Sequence, residues 1–294
     1  MPLRSRILAI GSAAYLALIF GVMLWRGISI EPEWVVLALL LIAIALGRGR
    51  SFVVDWIPFL ILFLAYEEMR GFAAKTGFEP HDLAGLERFV FFGNLPTLVL
   101  QHAFYHPGAV SWQDVVAMFF YFMHFPLPIV IGFVFWVRSR EHYRHFVAAL
   151  LLMCFTAFAV YLFFPSAPPW YQFPHDVVKI NNETVKYLWQ GSYYVSEIYT
   201  SFNPNKFAAF PSLHAAFPAL AAAYAWSRYR PLAFGLIAWS LAVLLAIVYL
   251  GEHYVVDALA GYVFVAFAYA VVEVASRWLA RRQKPPATPA TPSA

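Results

Sequence analysis

Eight stretches of this chain are apolar over lengths close to the thickness of a bilayer: 7–25, 34–47, 52–66, 114–136, 146–164, 208–226, 231–250 and 257–276. A hydrocarbon core of about 30 Å takes roughly 20 helical residues to cross, and only helices or closed barrels satisfy their backbone within it. Runs of this length read as helices. Hydrophobic residues make up 62% of the chain and charged residues 12%, against about a quarter charged in soluble domains. These features predict an all-α, polytopic integral membrane helical bundle of about eight transmembrane helices. The second and third stretches, 14 and 15 residues long, are short for a full crossing and are expected to tilt or to form a hairpin. The first is expected to be a retained helix, because others follow closely and no small-x-small cleavage pattern succeeds it.

Basic residues set the orientation, since translocated connections are depleted of them. In an eight-helix arrangement Arg4, Arg6, Arg48, Arg50, Arg138, Arg140, Arg144, Arg228, Arg230, Arg277, Arg281, Arg282 and Lys284 share one side, and both termini are expected to be cytoplasmic. Arg26, Arg70, Lys75, Arg88, Lys179, Lys186 and Lys206 fall on the other. A net charge of +4 distributed between apolar segments describes topology, so no nucleic-acid partner is expected. The one cysteine, Cys154, rules out an intrachain disulfide.

The expected layout is N-terminal transmembrane helices over 1–66, an extracytoplasmic segment over 67–112, a catalytic core over 113–278 and a disordered cytoplasmic tail over 279–294. Two outer connections, 67–112 and 165–206, are long enough to carry structure of their own. The first contains LAGLERFVFFGNLPTLVLQHAFY, which reads as an amphipathic helix lying at the interface. The second opens with FPSAPPWYQFP, a proline and tryptophan cluster suited to the headgroup level, with Trp170 as an anchor.

Chemistry concentrates in two short motifs. In FPSLHAAFP, Pro211 suits the first helical turn, placing Ser212 and His214 where unpaired N–H groups and the positive end of the helix dipole favour an anion. In GEHYVVD, His253 and Asp257 stand four residues apart at the entrance to the last span, on the same outer side. Two imidazoles and a carboxylate suit covalent phosphoryl transfer: one neutral ring attacks phosphorus, the other protonates the leaving oxygen, and the acid fixes the tautomer of the attacking ring. His124 reads as a packing histidine, Glu252 as an exposed loop acid, and a metal site ranks below phosphotransfer because no H-E-x-x-H or cysteine pair is present.

PSLH at 211–214 and HYVVD at 253–257 resemble the P-S-x-H and H-x-x-x-D motifs of the type 2 phosphatidic acid phosphatase superfamily. FPSLHAAFP followed by YLGEHYVVDALAGY is most similar to its branch of inositol phosphorylceramide synthases of the aureobasidin-resistance type. The resemblance covers about 110–275 and extends weakly to AYEEMRGF at 65–72. It implies a six-helix phosphatase-like core, with His253 as nucleophile, His214 as general acid and Asp257 orienting His253. The superfamily's Ser-Arg upstream of the third-motif histidine is replaced by Ala246 and Ile247, and its K-x6-R-P motif is absent. Phosphate charge must then fall to other groups: Ser212 and Arg70, with Lys75 and Lys206 as further candidates.

The resulting expectation is a membrane phosphotransferase acting on a lipid phosphate or phosphodiester at the outer leaflet, through a phosphohistidine and without metal or cofactor. The resemblance implies inositol-phosphate transfer, with a membrane lipid as substrate and a lipid or polyol hydroxyl as acceptor. The alternatives are a lipid or prenyl phosphate phosphatase and a transporter using its histidines as a proton relay. The expected location is a bacterial inner or plasma membrane with the site extracytoplasmic.

Overall fold

In the computed structural model, residues 32–73, 77–188 and 205–282 are described, together with Gly21. Apart from Gly21, the first apolar stretch lies outside the described residues, as do Lys75 and residues 283–294 of the predicted tail, Lys284 among them. Twelve helices appear among the described residues: α1 Pro32–Ala45, α2 Gly49–Ala73, α3 Ala84–Val90, α4 Pro96–Phe104, α5 Trp112–Phe122, α6 Pro126–Arg138, α7 Arg140–Phe163, α8 Pro169–Gln172, α9 Ile180–Leu188, α10 Leu213–Trp226, α11 Arg230–Tyr249 and α12 Val255–Arg282. The protein is an all-helical integral membrane protein. Three helices, α7, α11 and α12, are long and apolar enough to cross a membrane. A fourth span forms if α5 and α6, bent by 53° at Met123–Phe125, are taken together.

The expected lengths need correction in several places. The 52–66 stretch is part of a helix of 25 residues, about 37 Å at 1.5 Å per residue, because the helix continues through Tyr66–Ala73 into the predicted outer segment. The 114–136 stretch is two helices, since Pro126 and Pro128 begin a new helix after the His124 turn. The predicted interfacial helix of 83–105 is also two pieces, α3 and α4. Phe92 (φ 53°) and Gly93 (φ 91°) turn the chain between them, and Pro96 starts the second.

α10 sits at the centre, packed against α6, α7, α11 and α12. Its face of Ala215, Ala216, Ala221, Ala222 and Ala225 is buried, and small side chains let helices approach closely where lipid gives no hydrophobic drive for association. On α12, a Cβ at Gly261 would run into the Ser212 carbonyl oxygen. Gly261 is therefore needed for the start of α10 to lie against α12.

Arg48, Arg138, Arg140 and Arg144 gather at one end of the bundle. Asp55 on α2 accepts from Trp136 Nε1 (2.8 Å) and pairs with Arg140 (3.1 Å) and Arg144 (3.7 Å). Arg48 donates to the Val137 carbonyl at 2.9 Å, Arg138 lies over Tyr229, and His145 reaches Glu273 on α12 at 3.4 Å. The N-termini of α10 and α12, with their histidines, lie at the opposite end of those helices.

Candidate active site

α10 begins at Leu213, with Ser212 as its N-cap and Pro211 just outside, so the proline precedes the first turn instead of occupying it. The Pro211 carbonyl accepts from Tyr161 Oη at 2.8 Å, and the Ser212 N–H donates to the Asp257 carbonyl at 2.9 Å. The second bond ties the two motifs together through the backbone. Approach to this start is fixed by two isolated parallel bridges, His81 with Ser166 and Ser166 with Ala208. Phe210 N donates to Ser166 Oγ at 2.7 Å.

The second motif hangs on the end of α11. Gly251 takes φ 78°, which glycine adopts without the steric penalty of a side chain, and the Glu252 and His253 N–H groups turn back to the Ile247 carbonyl. Gln101 latches this turn: its Nε2 donates to the carbonyls of Val178 (2.8 Å) and Tyr249 (2.9 Å), and its Oε1 accepts from Val178 N (2.9 Å). Glu252 is buried, 3.2 Å from Asn181 Nδ2 and 3.8 Å from Lys179 Nζ. The expectation of an exposed loop acid is wrong, because α9 and the irregular segment before it fold over the turn. Asp257 is the third residue of α12, and its Oδ2 reaches back to the Tyr254 N–H at 2.8 Å, half of a capping box.

These elements bring the predicted catalytic residues together. His253 Nε2 lies 3.1 Å from His214 Nδ1, and His253 Nδ1 lies 3.4 Å from Asp257 Oδ2. Asp257 is 0% exposed and His253 4%. Four buried polar atoms around them have no protein partner: Ser212 Oγ, His214 Nε2, Asp257 Oδ1 and Arg70 Nε. Such groups are costly to bury unless a ligand or water engages them.

Arg70 comes to the cluster from the end of α2. Its Nη2 pairs with Glu67 Oε2 at 3.0 Å, its guanidinium lies 5.7 Å from the Phe125 ring, and its charge is felt at His214. Lys206 is exposed, with its ammonium 5.0 Å from the Tyr171 and Phe207 rings. Lys75 lies outside the described residues. His124, expected to be a packing residue, sits at the α5–α6 break with its ring centroid 3.9 Å from that of His214 and its Nδ1 2.6 Å from the Tyr121 carbonyl. It backs the general-acid candidate directly. Trp170 carries Lys179 over its ring at 4.3 Å.

Sequence reasoning missed Glu87. This residue of α3 is 0% exposed, and its two oxygens accept from Val255 N (2.9 Å) and Val256 N (3.0 Å) at the start of α12. Burial pushes its carboxyl above the ordinary range, and the two backbone bonds oppose that shift. Nothing in the local pattern LERFV distinguishes it from an interfacial acid.

A cavity of about 780 Å³ between α4, α5 and α11 is lined by residues such as Leu100, Phe104, Val116, Phe120 and Leu245. Its walls are apolar and contain neither histidine of the pair, so it suits hydrocarbon better than phosphate.

A buried pair of imidazoles backed by one carboxylate, at one end of a membrane-embedded helical bundle, defines a class of membrane enzymes that work on phosphate esters. Residues 81–271 match the PAP2 superfamily, and the chain belongs to it. It is also similar to phosphoinositol dihydroceramide synthase of Bacteroides thetaiotaomicron, 28% identical over 220 residues, covering 67% of this chain and 69% of that protein. No solved structure matches. The protein is thus an enzyme of the PAP2 superfamily, with lipid phosphotransfer as its general chemistry.

Proposed function

We propose that this enzyme transfers a phosphoinositol group from a lipid donor to a lipid hydroxyl, through a covalent intermediate on His253. The observation that carries the reading is the chain of contacts Asp257–His253–His214, ringed by unpartnered Ser212 Oγ and Arg70 Nε. Asp257 beside Nδ1 keeps the proton there and leaves the Nε2 lone pair to attack. As the Nε2–P bond forms, the P–O bond to the donor's lipid alcohol breaks, and His214 gives that oxygen its proton. An acceptor hydroxyl then attacks phosphorus, returns a proton to His214 and releases His253.

The two rings are 3.1 Å apart, so a phosphate needs them to part before reacting atoms can sit at the roughly 3–3.5 Å of a near-attack arrangement. Arg70, Ser212 and the first N–H groups of α10 supply the positive field for the transferring group. Ile247 occupies the place of the superfamily's arginine, buried with its carbonyl capping the His253 turn, and this supports Arg70 as the replacement cation.

Transfer is favoured over hydrolysis by the relative's name, phosphoinositol dihydroceramide synthase, which makes a ceramide-like hydroxyl the acceptor to test first. Purified enzyme in mixed lipid, with and without that acceptor, should yield a new phosphoinositol lipid by mass spectrometry. Free phosphate or free inositol phosphate formed at the same rate in both cases would point to hydrolysis and overturn the transfer reading.

A further inference from the structure

The first two N–H groups of α12 are held by a carboxylate 168 residues away in sequence. Helix starts are normally capped by a side chain from the same turn or left to water. Here the local acid, Asp257, is already engaged with the Tyr254 N–H and the His253 ring. Glu87 takes the next two N–H groups with both of its oxygens, fully buried. Burying a full negative charge is expensive, and a neutral acceptor would suffice if capping were all that was required. The charge lies beside the helix turn that carries His253 and Asp257, against the positive end of the α12 dipole.

The same segment also reaches the other motif. His81, just ahead of α3, donates its N–H to the Pro165 carbonyl (2.8 Å) and accepts from Ala167 N (3.0 Å). Ser166 between them carries the chain that enters FPSLH, through Ser166 N to the Phe207 carbonyl (2.9 Å) and Phe210 N to Ser166 Oγ (2.7 Å). Residues 81–90 therefore grip the α10 entrance at one end and the α12 start at the other.

We propose that Glu87 is a positioning residue for the transfer reaction: it fixes the first turn of α12 so that His253 meets His214. This rests on the functional reading above for its kinetic consequence, whereas its effect on the His253 ring does not depend on any substrate.

The test compares the parent with Glu87→Gln and Glu87→Asp in detergent–lipid micelles. It measures kcat and KM with a labelled phosphoinositol lipid, and the His253 ring signals at one pH by NMR on 13C-labelled histidine, assigned with His253→Gln. E87Q puts an amide NH2 against a backbone N–H and removes the charge. Its kcat should fall at least tenfold with KM within about twofold, and the His253 ring signals should move because the turn that carries the ring loses its anchor. E87D keeps the charge but reaches one N–H at most, so kcat should fall less and the His253 ring signals should stay nearer the parent's. A purely structural Glu87 would reduce folded yield and leave the His253 ring signals and the kcat of the folded fraction unchanged, which overturns the proposal. If E87Q does not fold, E87D decides: a reduced kcat supports positioning and a parental kcat overturns it. If the parent shows no lipid phosphotransfer, the functional reading fails, and the His253 ring signals in E87Q still decide whether Glu87 positions that ring.

Discussion

Replacing Asp257 with asparagine isolates the charge behind the attacking ring. The amide keeps the shape of the side chain, and its oxygen can still accept the Tyr254 N–H that Asp257 accepts at 2.8 Å. What disappears is a full negative charge 3.4 Å from His253 Nδ1. Unit charges at that separation attract by about 5 kcal/mol at an effective dielectric of about 20, an upper bound of between three and four decades in rate at about 1.4 kcal/mol per decade. The amide NH2 group also offers a donor where Nδ1 needs an acceptor, which favours the wrong tautomer. Single-turnover phosphotransfer should therefore slow by about 10²- to 10⁴-fold in D257N, with thermal stability close to the parent's. A folded D257N within tenfold of the parental rate would refute the assignment of Asp257 as the partner of the attacking ring.

Three further outcomes follow from particular contacts. Arg70→Gln should cut kcat/KM by at least about tenfold, because it removes the partly buried cation felt at His214, whereas Lys206→Gln should stay within about twofold; steady-state kinetics on both variants checks this. Gly261→Ala should destabilise the fold by about 1–3 kcal/mol as α10 and α12 are pushed apart at the Ser212 carbonyl, read as a lower melting temperature with activity lost in parallel. Gln101→Leu leaves the Tyr249 and Val178 carbonyls and the Val178 N–H without their side-chain partner, and should cost about 2–3 kcal/mol by the same melting measurement.

The parts of the fold legible in the sequence were those governed by one-dimensional hydropathy. α7, α11 and α12 answer to the stretches 146–164, 231–250 and 257–276, and the pairing of His214 with His253 follows from two motifs that each open a helix at the same end. What could not be read depended on partners far away in sequence. Glu252 looks like a loop acid until Asn181 and Lys179 fold over it, His124 becomes part of the cluster only through the 53° bend of α5 against α6, and Glu87 shows its role only when α12 arrives. Hydropathy also blurs breaks: the turn at Phe92–Gly93 interrupts a continuous amphipathic pattern, and the polar end of α2 runs well past its apolar stretch.

Covalent attachment to His253 is the step from which the rest of the mechanism follows. Enzyme mixed with a phosphoinositol lipid and no acceptor should be quenched in base, where a histidine–phosphorus bond survives, then digested and read by tandem mass spectrometry. A phosphoinositol adduct on the His253 peptide, absent from His253→Ala and discharged by added acceptor, is the predicted result. Turnover at the parental rate in His253→Ala, or an adduct confined to another residue, would contradict it.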